Sequence, residues 1–358
     1  MRVLTVIGSR PQFVKAAAVS RLLRAEHDEL LVNTGQHYDD ELSTIFVTEL
    51  GIPKPDLDLA LGGGTNTEQT AAMLAAIGPV IAEHRPDVVL VYGDTNSTLA
   101  GGLAAAQAGV RVAHVEAGMR SFDRRMPEEL NRVLTDHLSD LLLVPTPTAV
   151  ENLEREHVSG RIALVGDVMV DVAALVRPRA AGERAPLQAA GVEPGAYVLA
   201  TTHRAGNVDD PARLRKLVDL FLAVPGDVVL PLHPRTRRRL EEAGWLGELE
   251  SAASVHLLPP QGYLAFTSLL TQARAVLTDS GGVQKEAYLA GIRCVTLRDT
   301  TEWGETVTAG WNALVDLDRD QALAELERPL PADHPELYGD GHAGARVIAE
   351  LGVLLAGG

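Results

Sequence analysis

Six segments of this 358-residue chain place chemically able side chains directly after short apolar, strand-like runs. The first, Gly8-Ser-Arg-Pro-Gln-Phe-Val-Lys15, follows Val3 to Ile7. Gly8 permits a tight turn and Pro11 suits the opening of a helix, so Arg10 and Lys15 put two cations near a helix N-terminus, where an anion can be held. A turn with two solvated cations fits the same residues. The segment carries neither the Gly-x-Gly-x-x-Gly fingerprint nor a Walker loop, so NAD and ATP are not indicated. Asp94 follows the run Val88 to Tyr92, and Glu116 stands one residue past the run ending at Val115. Asp94 alone could serve as a helix cap. Adjacent parallel strands would bring both carboxylates to one sheet edge, where repulsion raises the pKa of at least one and suits it to proton transfer. Glu128 opens a further helix, either as a first-turn acid paired with Arg132 or as a third carboxylate in the same company. The apolar positions Leu130, Val133, Leu134 and Leu138 of that helix read as one buried stripe.

In the second half, His203-Arg204 follows the run Tyr197 to Ala200, and His233 follows Val228 to Leu232. An imidazole beside a guanidinium suits a phosphate or a leaving-group oxygen. The segment Thr278-Asp-Ser-Gly-Gly-Val-Gln-Lys-Glu286 is the most informative. Ser280 is a good N-cap, and Gly281-Gly282 lets backbone N–H groups approach an anion at a helix start. Glu286 lies one turn on, on the same face, and helical side chains point back toward the N-terminus. Its carboxylate can therefore reach the hydroxyls of a ribose whose diphosphate rests on the turn, although a plain buried helix start fits the pattern too. Arg298 adds a cation after the next run. His37 and His114 read as structural. No pair of histidines has helical metal spacing, and no Asp-x-Asp follows a strand, so no metal or other cofactor is expected.

These positions need a scaffold that presents the ends of many parallel strands. Short β-branched runs alternating with helical patterns supply it, and the chain is long enough for two doubly wound α/β domains. The Pro-, Gly- and Arg-rich stretch from Arg177 to Gly195 reads as the link, which gives a first domain of residues 1–175 and a second of 176–344. A terminal helix over 345–358 can pack on either. Lys plus Arg at 32 against Asp plus Glu at 48 leaves a net charge of −16, which disfavours nucleic acid and anionic membranes as partners. The single cysteine, Cys294, excludes intramolecular disulfides and fits a reducing compartment. The longest nearly apolar stretch, Ala71 to Ala82, is too short to span a bilayer, and the N-terminus lacks a signal-peptide pattern. A cytoplasmic protein is the expectation.

Taken in order, the motifs resemble those of the non-hydrolysing UDP-N-acetylglucosamine 2-epimerases. The likeness runs from residues 8–15 through 35–37, 93–95, 114–118, 127–132, 202–204, 260–266 (Pro-Gln-Gly-Tyr-Leu-Ala-Phe), 279–286 and 298–302 to Tyr338-Gly-Asp-Gly. The resemblance implies two Rossmann-like domains in the glycosyltransferase-B architecture, facing a cleft that holds a nucleotide sugar, and commonly a homodimer. It also implies the reaction: elimination of UDP across C1 and C2 to a 2-acetamidoglucal, then readdition with the proton delivered to the opposite face. Asp94, Glu116, Glu128 and His203 carry over as the catalytic set. Arg10, Lys15, Gln261, Phe266, Ser280, Gly281, Gly282, Glu286 and Arg298 carry over as UDP contacts, with uracil near Gln261 and Phe266. Gln12 and Trp303-Gly304-Glu305 depart from the commonest family pattern and are similar to a subgroup acting on a UDP-diacetamido uronic acid. Three rival readings are a hydrolysing epimerase, a UDP-sugar glycosyltransferase and an inactive UDP-sugar sensor. Arg10-Pro11 argues against the first, the number of carboxylates against the second, and retention of the four catalytic side chains against the third.

Overall fold

The computed structural model describes residues 1–36 and 53–357. The chain separates into two compact units, Met1–Leu175 with Tyr338–Gly358, and Val176–Leu337. In chain order the first unit contains β1 (Arg2–Ile7), α1 (Arg10–Glu26), β2 (Asp28–Asn33), β3 (Leu57–Asp58), α2 (Asn66–His84), β4 (Val88–Tyr92), α3 (Asn96–Gln107), β5 (Arg111–Val115), α4 (Pro127–Leu138), β6 (Leu141–Val144), α5 (Pro147–Arg155) and β7 (Arg161–Leu164). The helix α6 (Val168–Ala180) crosses the boundary. The second unit continues with α7 (Ala185–Ala190), β8 (Tyr197–Thr201), α8 (Ala205–Val208), α9 (Pro211–Ala223), β9 (Asp227–Pro231), α10 (Pro234–Ala243), α11 (Leu246–Ser251), β10 (Val255–Leu258) and α12 (Tyr263–Thr271). It closes with β11 (Ala275–Thr278), α13 (Gly281–Ala290), β12 (Arg293–Thr296), α14 (Gly304–Thr308), β13 (Asn312–Leu314) and α15 (Arg319–Glu327).

Each unit is built on one wholly parallel sheet. The strand order is β3-β2-β1-β4-β5-β6-β7 in the first and β10-β9-β8-β11-β12-β13 in the second. Both orders reverse direction once, between β1 and β4 and between β8 and β11, and a ligand binds beyond the strand ends at such a reversal. The central strands read as unbroken apolar runs because helices cover both faces. Val88 to Tyr92 are all fully buried, as are Val228 and Val229. Each Val or Leu so enclosed contributes about 1.5–3 kcal/mol relative to exposure.

The last helix, α16 (Ala343–Ala356), belongs to the first unit and packs on α1. Asp171 of α6 accepts from the N–H groups of Ala343 and Gly344, capping the helix start at 3.1 and 2.9 Å. The Arg161 guanidinium accompanies its C-terminal half, donating to the Glu350 carbonyl at 3.1 Å. The stretch read as a link is more regular than its composition suggests: α6 continues through Pro178 to Ala180, and α7 follows.

One helix departs from the expected orientation. On α4 none of the four residues read as a buried stripe is buried: Leu130 is 40% and Leu134 51% exposed and Val133 and Leu138 are half-buried, while Glu129, Asn131, Arg132, Thr135 and Asp136 are buried. Periodicity gives the two faces of a helix and not which one turns inward. Here the polar face turns inward because it serves the strand ends beneath it.

Candidate active site

In the first unit, Lys15 from the second turn of α1 comes together with Asp94 and Glu116, which stand just past the ends of β4 and β5. Glu116 has a left-handed backbone, φ 69°, at the end of a strand. For a residue with a Cβ this conformation costs of order 1–3 kcal/mol and persists only where the surroundings enforce it, typically at a functional site. Its carboxylate is nearly buried and forms an ion pair with Lys15 Nζ. The neighbouring turn leaves room for that pair. Gly93 is itself left-handed, φ 63°, and a Cβ there would lie 3.2 Å from Lys15 Nζ and 3.4 Å from Glu116 Oε2.

Asp94 faces the same place with about a third of its side chain open. Loss of hydration raises its pKa above the ordinary aspartate range and the charges of Glu116 and Glu128 add to that rise, while Arg132 and Lys15 oppose it. Arg132, reaching from the inward face of α4, donates to Asp94 Oδ2. Asn131 of the same helix donates to the Asp94 carbonyl at 3.1 Å and to Asn96 Oδ1 at 3.1 Å. These bonds explain why α4 turns its polar face inward.

The adjacent glutamates of α4 have different surroundings. Glu129 is buried and accepts from the backbone N–H groups of Ser121 and Phe122 at 2.9 Å each, holding the loop before the helix. Glu128 is exposed in the first turn. The Arg10 side chain and His37 lie outside the described residues.

In the second unit, His203 and Ser280-Gly281-Gly282 lie at the ends of the neighbouring strands β8 and β11. The organiser is Asp279, which is fully buried. It accepts from Thr202 Oγ1 at 2.8 Å, from the N–H groups of His203 and Arg204 at 3.2 and 3.1 Å, and from Asn207 Nδ2 at 3.2 Å. A buried carboxylate with that many donors is held without needing a salt bridge. It also lies 3.6 Å from His203 Nδ1, whose side chain is 43% exposed. The His233 ring packs beside His203, with centroids 5.3 Å apart.

The start of α13 is built for close approach. Ser280 makes no side-chain cap bond there. A Cβ at Gly281 would fall 2.4 Å from Glu302 Oε1, so a larger residue there would push that carboxylate aside. Glu302 in turn accepts from Arg298 Nη1 at 3.0 Å and lies 3.8 Å from Arg204 Nη2. Two guanidiniums, Arg298 buried and Arg204 about a third exposed, are thereby gathered on the Glu302 carboxylate beside a helix N-terminus. Trp303 adjoins this turn, with Lys285 Nζ 4.3 Å from its ring centroid. Glu286 is half-buried on α13. Gln261 donates to the Pro259 carbonyl at 2.7 Å, and Phe266 stands one turn into α12, partly packed on the core.

Sequence reasoning passed over three residues that organise these sites. Asp279 and Glu302 lie inside the motifs but carry no chemistry that the sequence alone marks, and Arg132 reads in sequence only as a partner for Glu128. The signal for Asp279 was its place directly after a strand; nothing local marks Arg132. Among the described residues, no group of three His, Cys, Asp or Glu could hold a metal ion, and no helix is long and apolar enough to cross a membrane.

A family model described as UDP-N-acetylglucosamine 2-epimerase matches residues 21–352. A UDP-2,3-diacetamido-2,3-dideoxy-D-glucuronate 2-epimerase from Pseudomonas aeruginosa is 47% identical, the match covering 99% of this chain and 100% of that protein. A UDP-N-acetylglucosamine 2-epimerase from Methanocaldococcus jannaschii is 40% identical over 98% of this chain and 99% of the relative. Among solved structures, that of Methanocaldococcus jannaschii UDP-GlcNAc 2-epimerase in complex with UDP-GlcNAc and UDP superposes with a TM-score of 0.92 at 38% identity, covering 99% of this chain and all of that one.

Proposed function

The chain belongs to the UDP-N-acetylglucosamine 2-epimerase family, and from that premise we propose that it inverts C2 of a UDP-2-acetamido sugar, converting UDP-N-acetylglucosamine to UDP-N-acetylmannosamine. The observation that carries this reading is the pair of carboxylates, Asp94 and Glu116, at one strand reversal, the second in a strained backbone and bound to Lys15.

A base in this set takes the proton from C2. Its C–H electrons form the C1=C2 bond, and the C1–O electrons leave with UDP. In the return step C2 receives a proton on its other face and a diphosphate oxygen bonds to C1. Two faces require more than one acid or base, which Asp94, Glu116, Glu128 and His203 supply. A raised pKa lets Asp94 hold a proton longer than an ordinary aspartate. Departure of the diphosphate is assisted by positive charge and a helix N-terminus, the role given to Ser280, Gly281, Gly282 and Arg298, with Arg10 and Lys15 as further cations. Glu286 is assigned to the ribose hydroxyls, and Gln261 and Phe266 to uracil. The reaction needs no metal or nicotinamide. A cytoplasmic site of action fits a nucleotide-sugar substrate and a single cysteine.

A second substrate, a UDP-2,3-diacetamido uronic acid, is favoured by two observations: the 47% identical relative carries that activity in its name, and Gln12 and Trp303 depart from the commoner family pattern. We assign the homodimer expected for this family to the outer face of α4, where Leu130 and Leu134 are exposed one turn apart, with Phe122 67% exposed in the loop before the helix.

Proton NMR with UDP-N-acetylglucosamine in heavy water, without NAD or added metal, tests the reading. UDP-N-acetylmannosamine carrying deuterium at C2 is expected. Free N-acetylmannosamine with UDP would assign a hydrolysing enzyme instead. No reaction with this sugar, but turnover of the diacetamido uronic acid derivative, would select the second substrate.

A further inference from the structure

Glu116 and Asp94 sit on separate turns, and a buried chain of hydrogen bonds joins those turns from behind. His114, two residues before Glu116, is fully buried on β5. Its Nε2 donates to the Gly93 carbonyl at 2.7 Å, holding the turn that carries Asp94. Its Nδ1 lies 2.7 Å from Asp136 Oδ1, on the inward face of α4. The other oxygen of Asp136 accepts from the Gly118 N–H at 3.1 Å, two residues beyond Glu116, and from Arg120 Nη1 at 2.7 Å. Arg120 then pairs with Glu156 through Nε and Nη2 at 2.7 and 2.8 Å. Both ends of the strained Glu116 turn are thus tied, directly or through His114, to one carboxylate, and the Asp94 turn is tied to the same histidine.

We propose that His114 and Asp136 are a positioning pair: they fix the separation of the Asp94 and Glu116 turns and hold Glu116 in its left-handed conformation, without touching substrate. The proposal rests on the reading of Asp94 and Glu116 as the proton-transfer groups. Buried polar chains of this kind specify one geometry when every member is satisfied, and a displacement of about 1 Å in a catalytic group can cost about a hundredfold in rate.

The test is steady-state kinetics of four variants of the full chain, alongside thermal melting and UDP affinity by calorimetry. His114→Leu removes both ring bonds. His114→Gln retains a donor toward the Gly93 carbonyl, and His114→Asn one toward Asp136. Asp136→Asn weakens the hub. At a temperature where each variant is fully folded, His114→Leu and Asp136→Asn are expected to lose about a hundredfold in kcat. KM and UDP affinity stay within about threefold, and the two single-bond variants fall between His114→Leu and wild type. If His114→Leu does not fold, the ordering of the two single-bond variants below wild type decides. Unchanged kcat in the folded variants, or a loss confined to KM, would overturn the proposal. Wild-type protein assayed in heavy water separates the two claims: absence of deuterium at C2 would remove the reading of Asp94 and Glu116, whereas normal incorporation with unaffected variants would remove only the positioning pair.

Discussion

The two units share one strand order over six strands, to which the first adds a seventh, and place their active-looking residues around the same topological point, yet the chemistry there differs. At the β1/β4 reversal the first unit gathers carboxylates, one in a strained backbone, against Lys15 and Arg132. At the β8/β11 reversal the second presents a helix start without a side-chain cap, a glycine that admits Glu302, and arginines at its edge. The parallel sheet supplies a place where ligands can bind, and the residues after each strand decide whether that place moves protons or holds an anion. The difference divides most of the proposed labour: the carboxylates that move protons lie in the first unit and the diphosphate turn in the second, with His203 added to the chemistry from the second and Arg10 and Lys15 to the cations from the first.

Variants can break or sharpen that division. The largest effect is expected for Glu116→Gln, which keeps the shape but removes the charge; kcat should fall by about 10²–10⁴ with UDP affinity little changed, measured by coupled assay and calorimetry. Next is Gly281→Ala, whose added methyl collides with Glu302 Oε1 at 2.4 Å. UDP affinity should fall about tenfold or more, since one charge-assisted bond is worth about 1.5–3 kcal/mol. Glu286→Ala should weaken UDP by a comparable or smaller factor while the fold is spared, and unchanged affinity by calorimetry would remove the ribose assignment.

The smallest effect is one of stability. Burial alone would raise the Asp136 carboxyl, but His114 and Arg120 outweigh it and hold the group below the ordinary aspartate range. A folded-state pKa below the unfolded one contributes stability above about pH 4 that is lost as pH falls through the folded value. The melting-temperature gap between wild type and Asp136→Asn should therefore be full at neutral pH and shrink on acidification below about pH 4.

Most of the strand ends that carry site residues were legible, because central parallel strands are buried on both faces and read as apolar runs. Three strands were not. The run Asp28–Asn33 opens with two acidic residues, Leu57–Asp58 is two residues long, and Asn312–Leu314 is a short edge. Each lacks the apolar length that marks a strand. The orientation of α4 was hidden for a different reason. Its inward face is polar only because Asp94, Asn96 and His114 wait beneath it, and those contacts span 22 to 38 residues of sequence. The same distance concealed Asp136 as the hub behind the Glu116 turn.

The division of labour is tested most directly by titrating UDP into Glu116→Gln and Gly281→Ala side by side in the calorimeter, with epimerisation followed in the same preparations. The account predicts that Glu116→Gln binds UDP like wild type and barely turns over, and that Gly281→Ala binds UDP weakly but approaches wild-type kcat when saturated. A Glu116→Gln variant that loses UDP affinity, or a Gly281→Ala variant that binds normally yet fails to turn over, would contradict it.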